Sequence, residues 1–159
     1  MKTVAYNADE VFEIAEQIER NGAAFYRAAA ASAPPDARDF LLRLAKQEDE
    51  HERTFAALRA EIVRQASVAE DTDGVVAAYL RALAGQYVFL KQQAPDEALG
   101  GATTLDEILV QAIQKEKDSI VLYLGLMDVL ADEADRDKIR RIVREEQKHL
   151  TELLERQRA

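Results

Sequence analysis

The chain has 159 residues, a formal net charge of −9 and no cysteine. A chain of this length can bury a substantial core without cross-links, and the lack of cysteine excludes disulfides, iron–sulfur clusters and a catalytic thiol. The acidic balance argues against nucleic acid as a partner, because phosphate binding needs concentrated Lys and Arg.

The N-terminal residues 1–10 are polar and mixed in charge. They lack the basic start and apolar stretch of a signal peptide, and no later segment has the unbroken apolar length of a membrane span. We therefore expect a cytoplasmic protein with no membrane partner, folded as one domain over residues 1–159.

Five helices are predicted from apolar residues that recur every three or four positions. In chain order they cover residues 9–31, 36–66, 74–92, 105–130 and 134–157. Pro34-Pro35 ends the first helix, and Thr104 with Glu107 predicts a capping box at the start of the fourth. No stretch alternates as a half-buried strand does, so the sequence predicts an all-α fold.

Short loops join the first two helices and the last two, so each pair should be antiparallel. The segment between the pairs must then cross the bundle, which predicts a four-helix bundle with a crossover that contains the short helix. This short helix is rich in apolar residues, among them Tyr79, Tyr87, Val88 and Phe89. We expect it to support a homodimer or larger homo-oligomer, although it could instead pack across its own bundle.

Each of the four long helices carries one carboxylate on its apolar face. These residues are Glu19, Glu48, Glu116 and Glu146, each flanked by apolar residues three, four or seven positions away. Bare charges in a core are very costly, and the facing stripes offer no Arg or Lys nearby. A pair of divalent cations would compensate all four carboxylates.

The only two histidines, His51 and His149, each follow one of these glutamates by three residues. Glu and His at this spacing share a helix face and can reach the same metal ion. One such pair is a weak signal, but two pairs on four acidic stripes indicate two metal ions. Mixed carboxylate and imidazole ligands suit iron or manganese, and zinc stays open. The remaining acidic residues, such as Glu50, Glu52 and Glu145, are interpreted as solvated.

The two halves of the chain repeat the same pattern. Tyr26 follows Glu19 by seven residues and Tyr123 follows Glu116 by seven, while the two Glu-x-x-His motifs begin 29 and 30 residues after those glutamates. The repeat predicts a pseudo-twofold site. Each tyrosine is either a core residue whose hydroxyl bonds to a carboxylate or a catalytic residue with a redox role.

These motifs resemble the di-iron motif of the ferritin-like superfamily over nearly the whole chain. The small residues of IERNGAAFYRAAA and the segment LAKQEDEHERTF are most similar to the rubrerythrin branch. The resemblance implies a ferritin-like bundle that holds two iron ions. It further implies that Glu48 and Glu146 bridge them, that Glu19 and Glu116 are terminal ligands, and that His51 and His149 each bind one ion.

The chain departs from this family at three points. Rubrerythrins usually add a Cys-rich rubredoxin domain, so here the electrons must come from an external donor. Ser119 stands where rubrerythrins carry an extra Glu, which puts their redox-linked iron movement in doubt. Asp49 stands where bacterioferritin has its haem-ligating Met, so we expect no haem.

Three functions remain open on the sequence. The leading one is an oxidoreductase that reduces peroxide or dioxygen at a di-iron centre. The alternatives are an iron-binding protein with a ferroxidase and storage or delivery role, and a non-enzymatic helical protein that the metal stabilises. The small residues Gly22 and Ala23, one turn from Glu19, either admit the oxidant or allow close helix packing.

Overall fold

The computed structural model describes residues 8–65, 74–75, 78–79, 82 and 99–159. Its four long helices are α1 (Ala8–Ser32), α2 (Pro35–Gln65), α3 (Leu105–Val129) and α4 (Glu133–Arg158). Their bounds agree with the predicted ones to within one residue. The described residues form these helices and no strand, which confirms the all-α fold class.

Local chemistry explains where the helices begin. Pro35 opens α2, where the missing N–H of proline costs nothing and its fixed φ suits the first turn. At α3, the N–H of Glu107 donates to Thr104 Oγ1 at 3.3 Å, and Glu107 Oε2 accepts from the Thr104 N–H at 3.1 Å. The predicted capping box is therefore confirmed. Asp132 caps α4 by accepting from the N–H groups of Ala134 and Asp135.

Ion pairs show that α1 and α2 run antiparallel. Arg59 near the end of α2 binds Asp9 at the start of α1 at 2.5 Å, and Arg20 binds Glu52 at 2.6 Å. As the residue number rises along α1, the number of its partner on α2 falls.

The helices α1 and α3 are also antiparallel, since Tyr26 contacts Glu116 and Tyr123 contacts Glu19. It follows that α2 and α3 run in the same direction. The 31 residues of α2 span about 46 Å, so the chain must return over the length of the bundle before α3 begins. This geometry confirms the predicted crossover.

Most of the crossover lies outside the described residues, including Tyr87, Val88 and Phe89. Where it is described, Val75, Ala78, Tyr79 and Ala82 are helical, as predicted. The Tyr79 hydroxyl donates to the carbonyl oxygen of Val121 in α3 at 3.1 Å. At this position the crossover packs against its own bundle.

The apolar core consists of two clusters at opposite ends of the bundle. One includes Phe12, Phe55, Leu126 and Ile139, and the other includes Phe25, Leu41, Leu109 and Leu153. On every helix the candidate metal ligands fall between the residues of the two clusters. The predicted inward positions are mostly buried, but Ile120 and Leu150 are only half-buried at the margin of the core.

Within the part of the chain that the structure describes, no helix combines the length and the apolar character needed to cross a membrane.

Candidate metal centre

The six side chains singled out in the sequence meet in the middle of the bundle. They come from all four helices, and none is more than 5 % exposed: Glu19, Glu48, His51, Glu116, Glu146 and His149. The three-residue spacing within α2 and within α4 places each Glu and its His on the same inward face.

The six residues form two overlapping groups that are suited to cations. In each group, one candidate ligand atom from every member lies within 4.8 Å of the others. The first group is Glu19, Glu48, His51 and Glu146, and the second group is Glu48, Glu116, Glu146 and His149. Glu48 and Glu146 belong to both groups, so their carboxylates lie between the two positions.

Both imidazoles turn Nδ1 towards the carboxylates. His51 Nδ1 lies 2.7 Å from Glu146 Oε1 and 3.5 Å from Glu19 Oε2. His149 Nδ1 lies 3.2 Å from Glu146 Oε2 and 3.5 Å from Glu48 Oε1. The two rings are stacked, with centroids 5.8 Å apart. Each ring therefore offers the same nitrogen to its group.

The first group contains four buried polar atoms that have no hydrogen-bond partner among the described residues. These atoms are Glu19 Oε2, Glu48 Oε1, His51 Nδ1 and Glu146 Oε1; the last two lie 2.7 Å apart but are not aligned for a hydrogen bond. Unsatisfied buried polar atoms are rare in folded proteins, and each needs an explanation. Here one atom from every member of the group is unsatisfied, and a bound cation would satisfy all four. The residues present thus fit a metal centre.

Without a cation, the carboxylates perturb one another. Burial raises the pKa of Glu48 well above its usual range, and the charges of Glu146 and Glu19 raise it further. Burial and the charge of Glu146 likewise raise the pKa of Glu116. Burial also disfavours the charged form of Glu146, but its polar contacts with Glu116 and the two histidines outweigh burial and lower the pKa of Glu146.

In the two imidazoles, burial and the neighbouring carboxylates act on the pKa in opposite directions. Burial lowers the pKa of His51, but its contacts with Glu146 and Glu19 outweigh that effect and raise the pKa to about 12. His149 behaves in the same way, with Glu116 and Glu146 raising its pKa to about 12 against burial. The metal-free cluster therefore holds protons that metal ions would displace, since ligands bind in their deprotonated forms.

Each buried tyrosine holds a carboxylate of the other helix pair. The Tyr26 hydroxyl donates to Glu116 Oε1, and the Tyr123 hydroxyl donates to Glu19 Oε1. Burial, followed by the charge of the partner carboxylate, raises the pKa of both phenols. Both hydroxyls thus remain protonated donors. Each occupies one oxygen of its carboxyl group and leaves the other for a cation.

The interpretation of Glu145 as a solvated residue was wrong, because its side chain contacts His51. Its Oε2 lies 2.7 Å from His51 Nε2, although its side chain remains 43 % exposed. The contact joins residues 94 positions apart, and nothing in the local pattern distinguishes Glu145 from a solvated glutamate. Glu50 is exposed, as predicted, whereas Glu52 binds Arg20 at the surface.

The small residue Gly22 of α1 lies against the carboxylate of Glu48. A Cβ atom at Gly22 would lie 2.9 Å from Glu48 Oε2, so the glycine lets α1 approach the carboxylate of a neighbouring helix. This favours close packing over an oxidant channel at that position.

The two residues at which the sequence departs from the family pattern make local contacts. Ser119 donates its hydroxyl to the Lys115 carbonyl oxygen at 3.0 Å, and Asp49 binds Arg27.

Comparison with known proteins agrees with this geometry. A family model described as Rubrerythrin matches residues 10–156. A Thermotoga maritima structure, provisionally assigned as a ferritin-like diiron-carboxylate protein, is similar to this one with a TM-score of 0.67 and 25 % sequence identity. The similarity covers 96 % of this chain and 95 % of that chain. Among proteins with curated functions, none matches the sequence significantly.

Proposed function

The chain belongs to the rubrerythrin family, and from that premise we propose that it is a di-iron carboxylate oxidoreductase that reduces peroxide or dioxygen. The observation that carries the proposal is the pair of overlapping buried groups that share Glu48 and Glu146. Carboxylate and imidazole donors in this number suit iron, and a shared carboxylate can hold two ions close together.

In this proposal Glu48 and Glu146, which belong to both groups, would be shared by two iron ions, and no haem would be bound. Glu19 and His51 complete one position, and Glu116 and His149 complete the other. When bound, two ferrous ions would supply the two electrons that, together with two protons, convert one peroxide into two molecules of water, and each ion would become ferric. The protein side chains supply the anionic donors, and their burial excludes bulk water from the centre.

Tyr26 and Tyr123 are the candidate catalytic residues. We assign them the role of fixing the orientation of Glu116 and Glu19, because their hydroxyls already donate to those carboxyl groups. The alternative is a redox role for the phenols, and the variants Tyr26→Phe and Tyr123→Phe test it. We propose that the electrons that restore the reduced centre come from an external donor, since these 159 residues contain no Cys.

The redox proposal is tested by loading the metal-free protein with ferrous iron under anaerobic conditions and adding peroxide. We expect the ferrous iron to be consumed, and ferric absorption to appear, much faster than for free ferrous ion in the same buffer. Equal rates would overturn the redox proposal. With an added reductant, repeated peroxide turnover indicates an oxidoreductase, whereas accumulation of ferric iron indicates storage.

The ligand assignment has its own test, the double variant Glu48→Ala and Glu146→Ala. We expect it to lose both metal ions, because each of these residues contributes to both groups. A matched control replaces the exposed Glu50 and Glu155, which lie on the same two helices. Two metal ions per chain in the first double variant would refute the assignment.

The single domain over residues 1–159, the cytoplasmic location and the homo-oligomer remain predictions. Light scattering at micromolar concentration tests the last of these, and a monomeric mass would count against association.

A further inference from the structure

The two halves of the centre differ at a matched position directly beside the shared glutamates. The repeat aligns Glu48-x-x-His51 on α2 with Glu146-x-x-His149 on α4. The residue immediately before the shared glutamate is Gln47 in the first motif and Glu145 in the second. The six inner residues obey the pseudo-twofold pattern, but this pair of neighbouring residues does not.

At His51, the outer nitrogen has a strong partner. Nδ1 faces the carboxylates of the first group, while Nε2 lies 2.7 Å from Glu145 Oε2. A carboxylate can only accept a hydrogen bond, so Nε2 carries the proton. When a cation displaces the proton on Nδ1, that hydrogen bond fixes the tautomer and the ring orientation, and it makes Nδ1 a stronger donor to the cation.

At His149, the outer nitrogen has no such partner. Nδ1 again faces the carboxylates, but Nε2 is buried and makes no hydrogen bond within the described residues. The matched residue Gln47 instead accepts a hydrogen bond from Arg43 at 3.4 Å. Among the residues that the structure describes, no second hydrogen bond fixes the tautomer or the rotation of the His149 ring.

We propose that Glu145 is a positioning residue that makes the two metal positions unequal. The position in the first group, which contains His51, fills first and holds its ion more tightly. The position in the second group, which contains His149, fills last and exchanges its ion. The inference rests on the proposed metal centre and assigns an order of loading to it. Loss of a hydrogen bond to a metal-bound His typically lowers metal affinity about 10- to 100-fold.

The test is a titration of the metal-free protein with Co²⁺, followed by its visible absorption and by calorimetry. We expect two binding steps, the first about 10-fold or more tighter than the second. Glu145→Ala should weaken the first step about 10- to 100-fold and leave the second nearly unchanged. Gln47→Glu should tighten the second step, because it places a carboxylate at the matched position. Glu155→Ala, an exposed glutamate of the same helix, is the control.

A second readout separates positioning from a general effect on stability. In the Co²⁺-loaded protein, the His51 Nε2 proton should give a paramagnetically shifted NMR signal that exchanges slowly with solvent. This signal should exchange rapidly or vanish in Glu145→Ala and persist in Glu155→Ala.

The outcomes are distinguishable. If the unmodified protein binds no Co²⁺, the proposed metal centre itself fails. If it binds two ions but Glu145→Ala matches the control, or weakens both steps equally, the centre stands and the inference is overturned. If Glu145→Ala does not fold, Gln47→Glu decides, since an unchanged second step would overturn the inference.

Discussion

Tyr26 and Tyr123 each donate to a buried carboxyl group on a facing helix. Replacing either with Phe leaves a carboxyl oxygen buried without its donor, a change that typically costs about 1–3 kcal/mol. We expect Tyr26→Phe and Tyr123→Phe to lower the free energy of unfolding of the metal-free protein by this amount, measured by urea denaturation with a chelator present.

The matched control is Tyr79→Phe. Its hydroxyl also donates a hydrogen bond, but the side chain is 40 % exposed, so water can replace the tyrosine as donor. We expect a change within about 0.5 kcal/mol, as for most surface substitutions. If the buried variants lost no more stability than this control, the hydroxyl contacts would not hold the carboxylates.

Gly22 leaves room for the Glu48 carboxylate, although glycine does not stabilise the helix. In a helix interior, Ala is favoured over Gly by about 0.5–1 kcal/mol, but a Cβ here would lie 2.9 Å from Glu48 Oε2 and displace that carboxylate. For Gly22→Ala we expect an undiminished free energy of unfolding without metal, together with metal affinity at least about 10-fold lower. Calorimetric titration measures the affinity.

Asn21→Ala, at the adjacent position of α1, is the control for helix propensity, and it should leave metal affinity unchanged. If Gly22→Ala bound metal as tightly as the unmodified protein, the glycine would not be needed for the placement of Glu48.

At the scale of elements, the start of α3 depends on a local cap rather than on core burial. Thr104 is exposed, and its side chain accepts from the Glu107 N–H. Thr104→Ala should therefore lower the free energy of unfolding by about 0.5–2 kcal/mol. Thermal and urea unfolding of the metal-free protein measure the change.

The control for Thr104→Ala is Thr151→Ala, which we do not expect to lower the free energy of unfolding. It is exposed within α4, and its hydroxyl donates back to the Gln147 carbonyl oxygen at 2.8 Å. Ala has the higher helix propensity, so Thr151→Ala should leave stability unchanged or slightly raised. A loss equal to that of Thr104→Ala would show that the cap has no special role.

At the scale of the whole molecule, the centre joins four helices whose ligands repel one another when bare. A metal that binds only the folded state stabilises it by mass action, about 2.7 kcal/mol at a concentration 100 times the dissociation constant. For a domain of this size that corresponds to about 5–10 °C in Tm. We expect a shift of this order between chelated and iron-loaded protein.

The control for this shift is the double variant Glu48→Ala and Glu146→Ala, whose Tm should not respond to iron. Equal melting temperatures for the metal-free and loaded forms of the unmodified protein would contradict a structural contribution of the metal.

The sequence by itself determined the four long helices and which six residues face the middle of the bundle. Helix bounds follow from short-range features such as Pro35 and the Thr104 capping box, which act within one turn. The inner carboxylates were recognisable because each breaks an apolar stripe on its own helix, and His51 and His149 lie three residues from Glu48 and Glu146.

Only the tertiary structure decided which side chains meet between helices. The contact of Glu145 with His51, and those of Tyr26 with Glu116 and Tyr123 with Glu19, join residues 94, 90 and 104 positions apart. Such contacts depend on the order of the helices in the bundle and on the rotation of each about its axis, which a stripe pattern leaves open. Glu145 is also half-exposed, so its sequence neighbourhood matches that of a solvated glutamate. The physical reason is that periodicity reports which face a residue occupies, whereas its partner is set by the packing of another helix against that face.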